Sequence, residues 1–219
     1  MPVQLMFVDG PTGSGKDYFI DRVVTLLKES NPNLSIAVWK ATDFVLKGKS
    51  LSEQRKYVVH DIDKERLDII YKGHHEIIDT AIKTLTNENY KPDLIIVNRS
   101  ILTMLGTNLW QDKDEEARVI LAEQFSTFSR NKLKKAGIES LFVRIDVDVP
   151  GVTRAVNILL SRIGNRNDGN PVDVEWLYTI VRTYRMNHDL ASGAFTYNDV
   201  FSSGDADVAV TRYFRSLLK

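Results

Sequence analysis

The chain has 219 residues, 43% apolar and 26% charged, enough to fill one core and short for two comfortable domains. Lysine plus arginine equals aspartate plus glutamate at 29 each, so formal net charge is zero; this argues against a protein that coats nucleic acid, while leaving room for a local basic groove. The absence of cysteine rules out disulfides and thiolate metal sites, no apolar run reaches the ~18 residues of a membrane span, and Met1 to Asp9 lacks the basic start of a signal peptide, so a soluble cytoplasmic protein with no membrane partner is expected.

Apolar strand-like runs alternate with helical patterns, the signature of a parallel α/β sheet. The first run is Leu5 to Val8, followed by a glycine-rich loop and a helix over about Lys16 to Ser30, with Phe19, Val23, Leu26 and Leu27 at helical spacing. Asn31-Pro32-Asn33 stops that helix, and a second run, Leu34 to Trp39, ends at Lys40-Ala41-Thr42-Asp43. A polar segment from Lys47 to Arg55 leads into one long or two shorter helices reaching Leu85. The third run, Leu94 to Val97, ends at Asn98-Arg99-Ser100, and a helix over about Glu115 to Lys135 precedes the fourth run, Leu141 to Ile145. Helix is expected from Pro150 onward, then a polar turn from Gly164 to Pro171, then helix from Val174 to Leu190. A last short strand near Asp199-Val200-Phe201 leads into a C-terminal helix ending at Leu218. Five strands with crossover helices predict a single-domain three-layer sandwich over residues 1–219, with ligands at the carboxyl ends of the strands.

The loop Gly10-Pro11-Thr12-Gly13-Ser14-Gly15-Lys16 fits G-x-x-x-x-G-K, between an apolar strand and an amphipathic helix. Its glycines let backbone N–H groups wrap a phosphate, the helix N-terminus favours the same anion, and Lys16 reaches the β- and γ-phosphates as a point charge. This is a P-loop, and it predicts ATP with Mg²⁺ on Gly10, Thr12, Gly13, Ser14, Gly15, Lys16 and Asp17. The residue after the lysine is ordinarily Ser or Thr, whose hydroxyl binds Mg²⁺; here it is Asp17. Its carboxylate either replaces that hydroxyl as a metal ligand or only favours the helix dipole.

Asn98-Arg99-Ser100 with Thr103 resembles the third-strand motif of the deoxynucleoside kinases and thymidylate kinases, where an acid precedes the arginine. The resemblance implies a phosphotransferase fold and assigns Arg99 to phosphoryl or substrate groups; an arginine paired with a surface acid is the alternative. Asn98 stands where that family has Glu or Asp, so either one carboxylate has changed sides, with Asp17 and Asn98 as the expected metal pair, or the metal site has degenerated and nucleotide binds without efficient transfer. Those kinases place the acceptor's base at the end of the second strand, where Asp43 is the nearest match; it could equally be a helix N-cap. Lys40 could neutralise an acceptor phosphate or be merely solvated.

Arg162 and Arg166, four apart in a segment that also holds Gly164, Gly169 and Pro171, resemble the family's arginine-bearing lid, placed here at about 161–171. Val174-Glu175-Trp176-Leu177-Tyr178 resembles the segment after that lid. The catalytic set implied is therefore Lys16, Asp43, Arg99, Arg162 and Arg166. Related kinases are often dimers through helices on one sheet face, so a homodimer is compatible with the resemblance. His74 and His75 adjoin on a helix about 100° apart, which disfavours a shared metal.

Three functions compete on the sequence. The first is phosphoryl transfer from ATP to a deoxynucleoside or deoxynucleoside monophosphate. The second is the same chemistry on a hydroxyl of DNA or RNA, for which Lys40, Lys47, Lys49, Arg55 and Lys56 supply a basic stretch. The third is a non-catalytic nucleotide-binding protein, although no guanine-reading Asn-Lys-x-Asp occurs and the lid would be left without a purpose.

Overall fold

A computed structural model describes residues 3–50, 64–100, 115–147, 149–164, 174–186 and 193–197. The strands are β1 (Leu5–Asp9), β2 (Ile36–Lys40), β3 (Leu94–Asn98), β4 (Ser140–Val147) and β5 (Gly193–Tyr197). They form one sheet in the order β2-β3-β1-β4-β5, every neighbouring pair parallel. The helices are α1 (Lys16–Ser30), α2 (Ala41–Val45), α3 (Lys64–Leu85), α4 (Glu115–Lys135), α5 (Val152–Gly164) and α6 (Val174–Met186).

The α/β character and the parallel sheet agree with the alternation in the sequence. The central strands β1 and β3 are buried throughout, which is why Leu-Met-Phe-Val and Leu-Ile-Ile-Val read as unbroken apolar runs. The strand β2, at the sheet's edge, is only half covered, and Val38 is 48% exposed. Side chains alternate between the two faces. Met6, Val8, Ile96, Val143 and Ile145 pack with Phe19, Ile20, Val23 and Leu27, so α1 covers one face. Phe7, Val97 and Phe142 pack with Ala41, Ile77, Ile78, Ala81, Phe125 and Leu133, so α2, α3 and α4 cover the other. Each fully buried Leu, Ile or Phe contributes roughly 1.5–3 kcal/mol by leaving water. A third cluster joins Val147 to α5 and α6 through Ala155, Val156, Leu159, Leu177 and Val181.

Two differences from the sequence reading stand out. The second strand passes directly into the short helix α2, where the sequence reading placed no helix, and Val45 and Leu46 of this stretch are buried. The fifth described strand is Gly193–Tyr197, upstream of the expected Asp199–Phe201; residues 198–219, with the expected C-terminal helix, lie outside the described residues. Among the described residues no helix is long and apolar enough to cross a membrane.

Candidate functional site: the phosphate loop and the strand ends

The carboxyl ends of the strands hold most of the residues singled out by the sequence. The chain leaves β1 at Asp9 and turns through Gly10 to Gly15 into α1. A Cβ at Gly10 would lie 2.3 Å from the Ile145 carbonyl oxygen and 2.6 Å from Ser14 Oγ, so no side chain fits between the loop and β4. Gly13 has φ +82, in the left-handed region, and a Cβ there would meet Ile163 Cγ1 at 3.1 Å and the Leu159 carbonyl oxygen at 3.3 Å. The last turns of α5 therefore rest on the loop. Gly15, also left-handed, is the N-cap of α1, and no side chain caps that end.

Lys16 is 6% exposed, and its ammonium donates to the carbonyls of Gly10 at 2.7 Å and Pro11 at 2.9 Å. The loop is thereby wrapped around its own cation. Ser14 is fully buried, and its Oγ has no hydrogen-bond partner. Thr12 is half-buried.

Asp17 and Asn98 come together. Lys16 begins α1 and the side chain of Asn98 faces α1 from the end of β3, so residues 81 apart in sequence share a hydrogen bond: Asn98 Nδ2 donates to Asp17 Oδ1 at 2.6 Å. Asp17 is exposed, while Asn98 is 9% exposed and its Oδ1 is buried with no hydrogen-bond partner. The donor set is oxygen-rich and hard, the chemistry that suits Mg²⁺. In the structure the two side chains meet each other directly, through the amide N–H and the carboxylate. Among the described residues no group of three or more His, Cys, Asp or Glu could hold a metal, so other oxygens would have to complete such a shell.

Arg99 is half-buried and has φ 78, the only positive φ at a non-glycine residue among those described. A left-handed arginine is strained by about 1–2 kcal/mol. Lys40 and Asn98 are register partners on β2 and β3, so Lys40 stands beside the same strand end, exposed. Asp43 is exposed in the first turn of α2, but Lys40 occupies the N-cap position, so Asp43 does not cap that helix. Arg162 lies half-buried in the last turn of α5, next to the Ile163 that would touch a Cβ on Gly13. Arg166 and most of the expected lid lie outside the described residues.

Sequence reasoning passed over three charged residues of this end. Asp9, 2% exposed, closes β1, and its Oδ1 accepts the Ser100 N–H at 2.8 Å. Arg144 of β4 is its register partner on the same face and is 4% exposed. Asp146, two residues on and 3% exposed, accepts Arg185 Nε of α6 at 3.1 Å. The available signal was their place inside apolar strand runs, where a charge is costly unless it is held.

No protein-family model and no curated protein matches the sequence. Among solved structures, the chain resembles the 1.7 Å crystal structure of shikimate kinase from Bacteroides thetaiotaomicron. The TM-score is 0.58 over 99% of both chains, at 10% sequence identity. The finer resemblance to deoxynucleoside and thymidylate kinases is thus carried by the quoted motifs alone. With a glycine-rich loop between β1 and α1 and a parallel sheet behind it, the chain shares the α/β fold of that crystal structure.

Proposed function

We propose that the protein is an ATP-dependent kinase that transfers the γ-phosphoryl group to a deoxynucleoside or deoxynucleoside monophosphate. The observation that carries the kinase reading is the glycine-backed loop closed around Lys16 at the carboxyl ends of the strands. The acceptor class rests on the likeness of Asn98-Arg99-Ser100 and the Arg162 segment to those kinases.

In this reading the loop N–H groups and Lys16 hold the β- and γ-phosphates. Lys16 exchanges its two carbonyl partners for phosphate oxygens. Asp17 and Asn98 would hold Mg²⁺, which when bound neutralises charge on the phosphates. Asp43 accepts the proton of the acceptor hydroxyl as its oxygen forms the new bond to phosphorus and the bond to the β,γ-bridging oxygen breaks. Arg99, Arg162 and Arg166 balance the charge on the transferring group. A small acceptor is favoured over nucleic acid because Lys47 of the basic stretch is already paired with Glu76 at 2.9 Å and the chain has no net positive charge.

The test is transfer from labelled ATP, with magnesium, to a panel of nucleosides, monophosphates and oligonucleotides. Labelling of nucleosides or monophosphates is expected. Labelling of oligonucleotides alone moves the acceptor to nucleic acid, and tight ATP binding with no transfer to any acceptor removes the kinase reading. Asp17→Asn is expected to raise the half-saturating magnesium concentration by roughly 10–100-fold. An unchanged magnesium titration with unchanged turnover would remove Asp17 from the metal site.

A further inference from the structure

The ends of β1 and β3 are tied together past the point where their ladder should stop. Alternate N–H groups of β3 point to β1 in a regular parallel ladder. Ile95 N–H donates to the Gln4 carbonyl at 2.9 Å and Arg99 N–H to the Val8 carbonyl at 2.9 Å, whereas Leu94 N–H donates the other way, to Ser35 at 3.2 Å. By that alternation the Ser100 N–H should point toward β2. The left-handed turn at Arg99, φ 78, swings it back to β1, where Asp9 Oδ1 receives it at 2.8 Å. The backbone of β1 cannot supply that acceptor, because Gly10 has turned into the phosphate loop and its carbonyl takes the Lys16 ammonium at 2.7 Å. Asp9 and Ser100 are each 2% exposed, so bulk water does not reach this N–H and the carboxylate is its acceptor.

We propose that Asp9 is a positioning residue that holds Arg99 in its left-handed conformation and so fixes the direction in which Arg99 leaves the sheet. The functional consequence rests on the kinase reading above. The conformational claim does not.

The experiment pairs Asp9→Asn, Asp9→Ala and Asp9→Leu with Arg99→Ala and Arg99→Gly. Asparagine keeps an acceptor oxygen for the Ser100 N–H, so Asp9→Asn is expected to retain most of kcat. Asp9→Ala and Asp9→Leu are expected to lower kcat by about 10²-fold with smaller changes in KM, the size expected when a group is displaced by about 1 Å. Adding Arg99→Ala to Asp9→Ala should cost nothing further, since both remove one function. A loss in Asp9→Asn as large as in Asp9→Ala, or multiplied losses in the double variant, overturns the proposal. Melting temperatures supply a readout free of turnover. In the wild-type background Arg99→Gly should melt about 2–4 °C above Arg99→Ala, because glycine tolerates the left-handed region. In the Asp9→Ala background that gap should close, because nothing then holds the turn. A gap that persists overturns the proposal, even when Asp9→Leu does not fold. If the wild-type protein phosphorylates no acceptor, the kinase reading falls while the melting comparison still decides the role of Asp9.

Discussion

His74 shows what a single buried side chain does to this molecule. It is 2% exposed between α3 and α4, its ring edge-on to Phe125 with centroids 5.5 Å apart, and its Nε2 has no hydrogen-bond partner. Burial first, and neighbouring His75 second, lower its pKa from 6.5 to about 3. Replacing an unsatisfied imidazole by an apolar ring removes that desolvation cost, offset in part by the larger volume of the phenyl ring, so His74→Phe is expected to raise stability at pH 7 by at most about 1 kcal/mol. A urea titration checks it. At the same scale, Lys16→Met is expected to remove ATP binding, with turnover falling by about 10²-fold or more, since it deletes the charge the loop is built around. Calorimetry with ATP reads the binding half of that statement. Lys16 was plain in the sequence because its spacing from Gly10 and Gly15 is local; Asp9 was not, because its partner Ser100 is 91 residues away.

At the scale of elements, α6 is locked to the end of β4 by one arginine. Arg185 Nε donates to Asp146 Oδ2 at 3.1 Å, and a terminal guanidinium nitrogen donates to the Val147 and Val149 carbonyls, each at 3.2 Å. These carbonyls lead into α5, the helix that rests on Gly13 of the phosphate loop. Arg185→Ala leaves the buried Asp146 carboxylate without its cation, so it is expected to cost about 3 kcal/mol, roughly 6–12 °C of melting temperature. Asp146→Asn in that background should recover part of the loss. The crossing of α2 and α3 is equally specific: a Cβ on Gly73 would lie 2.7 Å from the Val45 backbone. Gly73→Ala is therefore expected to destabilise by about 1–3 kcal/mol through overpacking, although alanine is the better helix former. Neither contact was legible in the sequence. Helix periodicity identified each element, but not which small residue would meet which neighbour.

For the whole molecule, the burial of His74 predicts the direction of acid denaturation. Its folded pKa, about 3, lies below the ordinary 6.5, so the unfolded chain binds this proton first as pH falls. The neutral imidazole costs the fold nothing in proton uptake above about pH 6.5, and stability declines progressively as pH falls below that value. Urea titrations at pH 7, 6 and 5 should show the decline in the wild-type protein and a shallower one in His74→Phe.

What the sequence determined by itself was whatever is written in short-range pattern. The alternation of apolar runs and helical spacing defined an α/β chain with a parallel sheet, because burial on both faces demands unbroken apolar strands. The phosphate loop was readable because seven consecutive residues form it. The tertiary structure alone decided the strand order, with β1 between β3 and β4, and therefore which strand ends meet. That order brings Asn98 to Asp17 and Ser100 to Asp9, and it puts Arg99 in a conformation no local preference would choose. The reason is physical: hydrogen bonds between residues 81 and 91 positions apart depend on how the sheet closes, and the spacing of residues along the chain carries no record of it.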